Sequence, residues 1–397
     1  MTTASDTHTA QRGDWLDFPD VRLVRTLAGA VIQLADLGSL SSFRLPYPAE
    51  AQRALDRTVL ACLLRGVEEI PRSLPELLFW CHSRPLEDWP LDLPPDAFGP
   101  DDYLVDPEAL VPTQLCHEWW IRGKDAGAAQ FDREVIHTAM RLCRKASSPE
   151  SYVAFRKLLV ERPVLTGVER FETETDLFLA PVQELLDQCY AAVPASYEDE
   201  GTYVTCGRCL TLLTPVAGGA SWWCERDRCR RRGAPPHGRT LAGADAAGLL
   251  QLVRPLRQFV TSPGRAEVEL EARLSALGLE VQLWPGFDAY DLRVTFPDGH
   301  VWAIDVKDWK HPGLLGRAAK PVRPEPPYDE SCWVVPREQA EAHRDYLGTY
   351  RRNRPAAAEG LLLLTDDRLV ALASARLRGE GGPHLMDSTP TNGSPRA

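Results

Sequence analysis

Y-D-L-R-V-T-F-P-D-G-H-V-W-A-I-D-V-K, residues 290–307, is the stretch whose reading decides how the C-terminal part of the chain folds. Two runs rich in apolar and β-branched residues, Tyr290 to Phe296 and His300 to Val306, flank Pro297-Asp298-Gly299, a tight-turn signal. The segment therefore reads as an antiparallel hairpin. If it closes around Asp298, residues equally distant from that position face each other, and Asp291 lies opposite Asp305. Side chains alternate along a strand, so Leu292, Val294 and Phe296 share one face with Trp302, Ile304 and Val306, while Asp291, Asp305 and Lys307 share the other. Directly opposed carboxylates repel, and a divalent cation between them resolves the conflict. Hard oxygen donors select Mg²⁺ or Mn²⁺, which can polarise a phosphoryl oxygen and lower the pKa of a bound water. Lys307 is placed to position that water and to neutralise charge developing on a phosphate, with the carbonyl of Val306 as a further candidate ligand.

Upstream, Arg265 to Leu277 sets Leu270, Leu274 and Leu277 at helical spacing, with Gly278 as the stop. Glu267 falls on the inward face of that helix and can complete the carboxylate set. Glu271 is the next choice on the same face, and Glu269 reads as solvated. A strand over Glu280 to Trp284 precedes the hairpin; Cys332 to Val335, a helix from Arg337 to about Tyr350, and Leu361 to Leu364 follow it.

Helix, three strands and D-x(13)-D-V-K, followed by strand, helix and strand, resemble the PD-(D/E)xK restriction-endonuclease fold. Tyr290 stands where Pro would precede the first Asp, a departure that leaves the carboxylate intact. More narrowly, S-P-G at 262–264, L-W-P-G at 283–286, A-Y-D-L at 289–292 and I-D-V-K-D at 304–308 resemble the restriction-endonuclease-like protein associated with the pPIWI-RE bacterial defence islands. The resemblance implies metal ligation by Asp291 and Asp305, joined by Glu267, and a catalytic role for Lys307. It implies a metal-dependent DNA endonuclease hydrolysing phosphodiester bonds as an effector of antiviral or anti-plasmid defence. Its implied partners are DNA, a PIWI/Argonaute-like protein and a DinG-type helicase. The alternative is a non-catalytic nucleic-acid-binding or scaffold subunit of that complex.

A second signal lies at Cys206-Gly-Arg-Cys209 and Cys224-Glu-Arg-Asp-Arg-Cys229. Two such knuckles supply the tetrahedral four-cysteine set that Zn²⁺ prefers in structural sites, with no open position for catalysis. The stretches Thr211 to Pro215 and Ser221 to Trp223, around Gly218-Gly219, read as two short strands of a zinc ribbon. His237 is a less well spaced alternative ligand. Arg208, Arg226, Arg230, Arg231 and Arg232 decorate the knuckles, as does Arg228. They could touch phosphates, or form a solvated basic face that packs against the acidic N-terminal domain. A zinc-ribbon transcription regulator would account for the cysteines but not for the hairpin.

Composition frames these readings. The net charge of −11 excludes a protein that coats nucleic acid electrostatically, and the acidity is uneven: residues 1–200 carry 19 basic and 33 acidic side chains, residues 201–397 carry 26 and 23. No run approaches the roughly 20 apolar residues of a membrane span, and Met1 to Gly13 lacks the apolar core of a secretory signal, so the expected location is the cytoplasm. Cys62, Cys81, Cys116, Cys143, Cys189 and Cys332 sit singly in apolar segments and read as buried thiols. Cys116-His117 has no partner ligands nearby. Residues 14–190 show helical periodicity, as at Leu23–Leu37, Ala51–Leu64 and Val135–Leu142, broken by a Pro- and Asp-rich loop from Pro85 to Pro112, with no strand alternation. The expected architecture is α+β and multidomain: a helical N-terminal domain over 1–200, a zinc ribbon over 201–240, a PD-(D/E)xK nuclease domain over 241–378 and a disordered tail over 379–397.

Overall fold

The computed structural model describes Trp15, residues 18–37, 45–121, 127–216 and 221–379, and Leu385; the Gly218-Gly219 turn lies outside them. The chain divides into two compact units, residues 1–126 and 127–397. In the first, α1 (Val21–Leu37), α2 (Ala49–Leu64), α3 (Leu74–Ser83) and α4 (Gln114–Ile121) follow one another. Val24, Leu27, Ala28 and Val31 of α1 are buried at the spacing of an amphipathic helix. Ser73 caps α3 by accepting from the Glu76 amide at 3.3 Å. The Pro85–Pro112 stretch stays irregular apart from one helical turn at Leu86–Asp88, and buried Leu86, Trp89 and Leu104 pin it down. Cys116 is buried in α4, as a core thiol should be.

The second unit begins with α5 (Gly127–Lys145), α6 (Pro149–Glu161), β1 (Val164–Leu165), α7 (Gly167–Thr175), α8 (Gln183–Cys189) and β2 (Tyr190–Ala192). Then come β3 (Thr202–Cys206), β4 (Thr214–Val216), β5 (Ser221–Trp223), α9 (Asp227–Arg231), β6 (His237–Ala242), β7 (Leu250–Leu252) and the single turn α10 (Arg254–Leu256). Strand β7 lies between β1 and β2 in a three-stranded antiparallel sheet. The break in the structure is thus at 126/127, whereas composition placed it near 200. The reason is packing: Phe155, Leu159 and Leu185 share one apolar core with Leu270, Leu292 and Ile304. β1 and β2 escaped the sequence reading because strands of two and three residues are too short to show alternation.

After a π-helical turn at Arg257–Thr261 come α11 (Ser262–Ser275), β8 (Glu280–Leu283), the irregular turn α12 (Pro285–Asp288), β9 (Leu292–Thr295) and β10 (Val301–Val306). They are followed by α13 (Pro312–Ala318), β11 (Glu330–Val335), α14 (Arg337–Glu341), α15 (Tyr346–Asn353), β12 (Leu362–Thr365) and α16 (Asp366–Leu377). The sheet order is β12-β11-β10-β9-β8, with β8, β9 and β10 antiparallel and β10, β11 and β12 parallel. Helices α11 and α16 cover one face, where Leu270, Leu274, Leu369 and Leu372 join Leu292, Val294, Trp302, Ile304 and Val334 in one core. Leu315 of α13 and Tyr346 and Tyr350 of α15 join Ala303, Trp333 and Val335 on the other. Covering both faces is why β11 reads as a nearly unbroken apolar run.

The helix expected over Arg337–Tyr350 is two, because Asp345 starts α15 by accepting from the Gly348 amide at 3.2 Å. Gly264 sits where α11 meets α6: a Cβ there would fall 2.3 Å from Val160 Cγ2, so only glycine permits this approach. Of the expected tail, Leu385 is buried in the core and its amide donates to Glu330 at 3.1 Å. The other residues beyond Gly379 lie outside those described. Among the described residues no helix is long and apolar enough to cross a membrane.

Candidate active site and metal centre

The β9–β10 hairpin closes as its turn residues dictate. Gly299 takes φ +83°, and the Asp298 carboxylate accepts from the His300 amide at 3.0 Å. Val294 pairs with Trp302 and Leu292 with Ile304, the register centred on Asp298. One step further, the Asp291 amide donates to the Ile304 carbonyl at 3.1 Å, beside Asp305. Lys307 projects from the same end, its Nζ 3.6 Å from Asp291 Oδ2 and 3.6 Å from Asp305 Oδ2. The parallel neighbour supplies Trp333, paired with Asp305: its indole donates to Asp305 Oδ2 at 3.1 Å, and its ring lies 5.1 Å from Lys307 Nζ. The Val306 amide donates to Asp291 Oδ2 at 2.6 Å. All these contacts fall on Oδ2, and among the described residues no hydrogen bond engages either Oδ1. Two hard oxygen donors on facing strands are thus left for a cation, a fit to Mg²⁺ or Mn²⁺ by donor chemistry.

Glu267 points inward and is 3 % exposed. It does not stand free. Its carboxylate accepts from the Trp284 indole and lies 3.3 Å from Arg156 of α6, which also approaches Asp288 at 3.4 Å and stacks 5.0 Å from the Trp284 ring. Tyr152, one turn earlier, donates to Asp288 at 2.9 Å. Asp288 reaches this place because Trp284, Gly286, Phe287 and Asp288 all hold positive φ, between 49° and 67°. Three of these residues carry a Cβ, so the turn is strained just before Asp291. Sequence reasoning missed Arg156, Tyr152, Asp288 and Trp333. The one local hint was L-W-P-G-F-D itself, with its glycine and proline before an acidic residue.

The electrostatics follow from crowding. Burial pushes Asp291 well above the usual carboxylate range, and Glu267 adds to the rise, with Asp305 and Asp288, against the pull of Lys307. Burial likewise raises Glu267, opposed by Arg156. For Lys307 burial alone would lower the pKa, but Asp305 and Asp291 outweigh it and hold the ammonium above its ordinary value. Those two carboxylates therefore favour the charged form of Lys307.

At the second candidate site, Cys206 ends β3, Cys209 follows a tight turn, Cys224 succeeds β5 and Cys229 lies in α9. All four are buried, and their sulfur atoms lie within 4.8 Å of one another. Strands β4 and β5 pair as expected, Thr214 against Trp223. The cluster can hold a metal such as zinc. His237 is not part of it; it pairs with Cys206 across β3–β6, and its ring stacks edge-on to Trp222 at 5.7 Å. Among the described residues this is the only group of three or more His, Cys, Asp or Glu whose ligand atoms come so close. The carboxylates of the sheet do not.

The arginines expected to touch phosphates are committed within the chain. Arg208 donates to the carbonyls of Cys229, Arg232, Gly233 and Ala234. Arg230 donates to the Cys224 carbonyl and to Asp227, Arg231 to Gln339, and Arg232 pairs with Glu338 at 3.7 Å. Arg226 is bound to Asp308, and Arg228 to Glu338 and Glu269, the glutamate read as solvated. Arg226, Arg228, Arg231 and Arg232 build a seam between ribbon and sheet domain, whereas Arg208 and Arg230 brace the ribbon itself. Each of these basic side chains thus has a carboxylate, carbonyl or amide partner within the chain.

Comparison with known proteins adds two matches. Residues 23–166 match the family model for pPIWI_RE three-gene island domain Y, and residues 264–381 match that for the REase associating with pPIWI_RE. No curated protein and no solved structure matches the chain.

Proposed function

We propose, from the premise that this chain is a restriction-endonuclease-like protein of the pPIWI-RE islands, that its C-terminal sheet domain is a metal-dependent DNA endonuclease hydrolysing phosphodiester bonds. The observation that carries this reading is Lys307 Nζ at 3.6 Å from both Asp291 and Asp305 at the end of one hairpin. Asp291 and Asp305 would hold Mg²⁺ or Mn²⁺ through Oδ1, with the Val306 carbonyl beside them and Glu267 behind. The ion, when bound, supplies polarisation of a phosphoryl oxygen and acidification of a bound water. Lys307, as a cation beside the two carboxylates, would donate hydrogen bonds to the attacking water or to a non-bridging phosphate oxygen, and its charge would offset the one that develops there. Trp333 orients Asp305, and Arg156 with Trp284 orients Glu267, so the carboxylates are aimed before substrate arrives. The cysteine cluster, with four thiolates and no open position, would hold a structural zinc. As a member of these islands the protein would act with a PIWI-like partner in defence, and a helicase is a further partner to test.

Plasmid DNA incubated with Mn²⁺ and purified protein, beside Asp305→Ala and Lys307→Ala, tests the assignment. Each variant should lose roughly a hundredfold or more in cleavage rate. Equal cleavage by wild type and both variants would sink it.

The engagement of Glu267 by Arg156 and Trp284 favours, as a second reading, a non-catalytic nucleic-acid-binding or scaffold subunit. Titration calorimetry separates the two: the nuclease binds Mn²⁺ and loses it on Asp305→Ala, whereas the scaffold shows no heat in either case.

A further inference from the structure

The second cysteine knuckle reaches into the sheet domain. Arg226 lies between Cys224 and Cys229, and its guanidinium, with the side chain 8 % exposed, sits 3.1 Å from the carboxylate of Asp308, itself 2 % exposed. The same Nη2 donates to the Ser262 carbonyl at 2.9 Å. Asp308 directly follows Lys307, and its other oxygen accepts from Gln339 at 2.7 Å. Ser262 opens α11, the helix that carries Glu267. One side chain rooted in the cysteine cluster thus ties down two of the segments that bring charged groups to the candidate active site, the end of β10 with Lys307 and the start of α11 with Glu267. Around it, Arg228 meets Glu269 at 3.1 Å and Glu338 at 3.4 Å, closing the seam.

We propose that Arg226 and Asp308 are positioning residues that make the placement of Lys307 depend on the metal held by the cysteines. The inference rests on the nuclease reading above. Its physical basis is that a buried ion pair holds only while both partners are kept in place, since removing one leaves an uncompensated buried charge. The knuckle that presents Arg226 is a short turn whose shape is set by cysteines converging on one point, and a cation at that point is what keeps four buried sulfurs together. Loss of that ion frees the knuckle, releases Asp308, and lets the chain leaving β10 relax at Lys307. Zinc in the ribbon therefore acts on the cleavage site from outside it, without touching substrate.

The experiment uses the full-length chain with Arg226→Gln, Arg226→Lys and Asp308→Asn. Zinc content, Mn²⁺ affinity by electron paramagnetic resonance, and DNA cleavage with kcat and KM separated are measured on each. Arg226→Gln and Asp308→Asn should retain zinc and melt cooperatively, yet lose about tenfold or more in kcat and in Mn²⁺ affinity, as outer-shell partners do, with KM for DNA nearly unchanged. Arg226→Lys should recover part of the loss. Stripping zinc from wild type with a mercurial reagent should reproduce it. Zinc-replete variants with wild-type kcat and Mn²⁺ affinity overturn the coupling, and Asp308→Asn decides the matter if Arg226→Gln does not fold. Lys307→Ala run in parallel keeps the two claims apart. If it cleaves like wild type, the nuclease reading falls and takes this inference with it; if it is dead while Arg226→Gln is fully active, only the coupling falls.

Discussion

At the cysteine cluster four sulfur atoms already stand within 4.8 Å of one another, whereas at the sheet the carboxylates of Glu267, Asp288, Asp291 and Asp305 are interleaved with two cations, Arg156 and Lys307. The difference follows from the chemistry of the donors. Cysteine is a small side chain that a fold can bury in a cluster, and a cation at the point where the four sulfurs converge would hold the two knuckles there. Carboxylates repel, and burial in the same unit requires charges of opposite sign between them. The ribbon thus brings four possible donors together at one point, whereas the sheet places its own cations among the carboxylates.

Three outcomes would break or sharpen that contrast. The largest concerns the ribbon: Cys209→Ser should forfeit the metal and destabilise residues 127–397 by on the order of 4 kcal/mol, seen as zinc loss and an early denaturation midpoint. A variant as stable as wild type would mean that the metal is not structural.

The opposite sign is expected at the sheet. Asp291 is raised mainly by burial, so its favourable contribution is present below the unfolded-state value of about 3.9 and is lost as pH rises through the folded-state pKa. At neutral pH the metal-free wild type carries that cost. Asp291→Asn removes it and should raise the denaturation midpoint of the metal-free protein while abolishing Mn²⁺ binding. If the variant is less stable than wild type, the carboxylate is held more favourably than its crowding implies.

The smallest effect is in protons. Burial favours the protonated forms of Asp291 and Glu267, and Mn²⁺ competes with those protons, so its binding should strengthen as pH rises and release protons. Zinc loading of the thiols should release more, because an unperturbed thiol titrates near about 8.5. Calorimetry in two buffers of different ionisation enthalpy reads both, and a Mn²⁺ enthalpy independent of buffer contradicts the first.

Local signals were legible from the residues alone. The turn at Pro297-Asp298-Gly299 was enough to set the hairpin register, because pairing propagates from a turn with a period of two. The inward face of α11 followed from the spacing of Glu267, Leu270 and Leu274, all buried. What escaped was contact across long stretches of chain. Arg156 and Tyr152 arrive from a helix with no motif of its own, and Asp288 depends on backbone angles that residue type does not announce. The ribbon arginines were visible as charge, but charge alone names no partner. The boundary at 126/127 was hidden because the acidity of residues 1–200 is a surface property, whereas the division is set by a core shared between α6 and the sheet. Helices α13 and α16 were not anticipated, and α14 and α15 were read as one; each of the four is short, at most 12 residues.

Gly264 and Arg156 together have a consequence for how such a gene can be cut and recombined. The REase match begins at residue 264, at the glycine whose missing side chain lets α6 lie against α11. A gene trimmed to that match would encode the aspartates and the lysine but discard the arginine that neutralises Glu267, together with the knuckle that braces Asp308. The smallest heritable cassette able to carry this site intact therefore starts upstream of Ser151, and the island domain Y match, which runs to residue 166, already overlaps it. Shuffling that treats the two matches as separable would split α6 from its glycine.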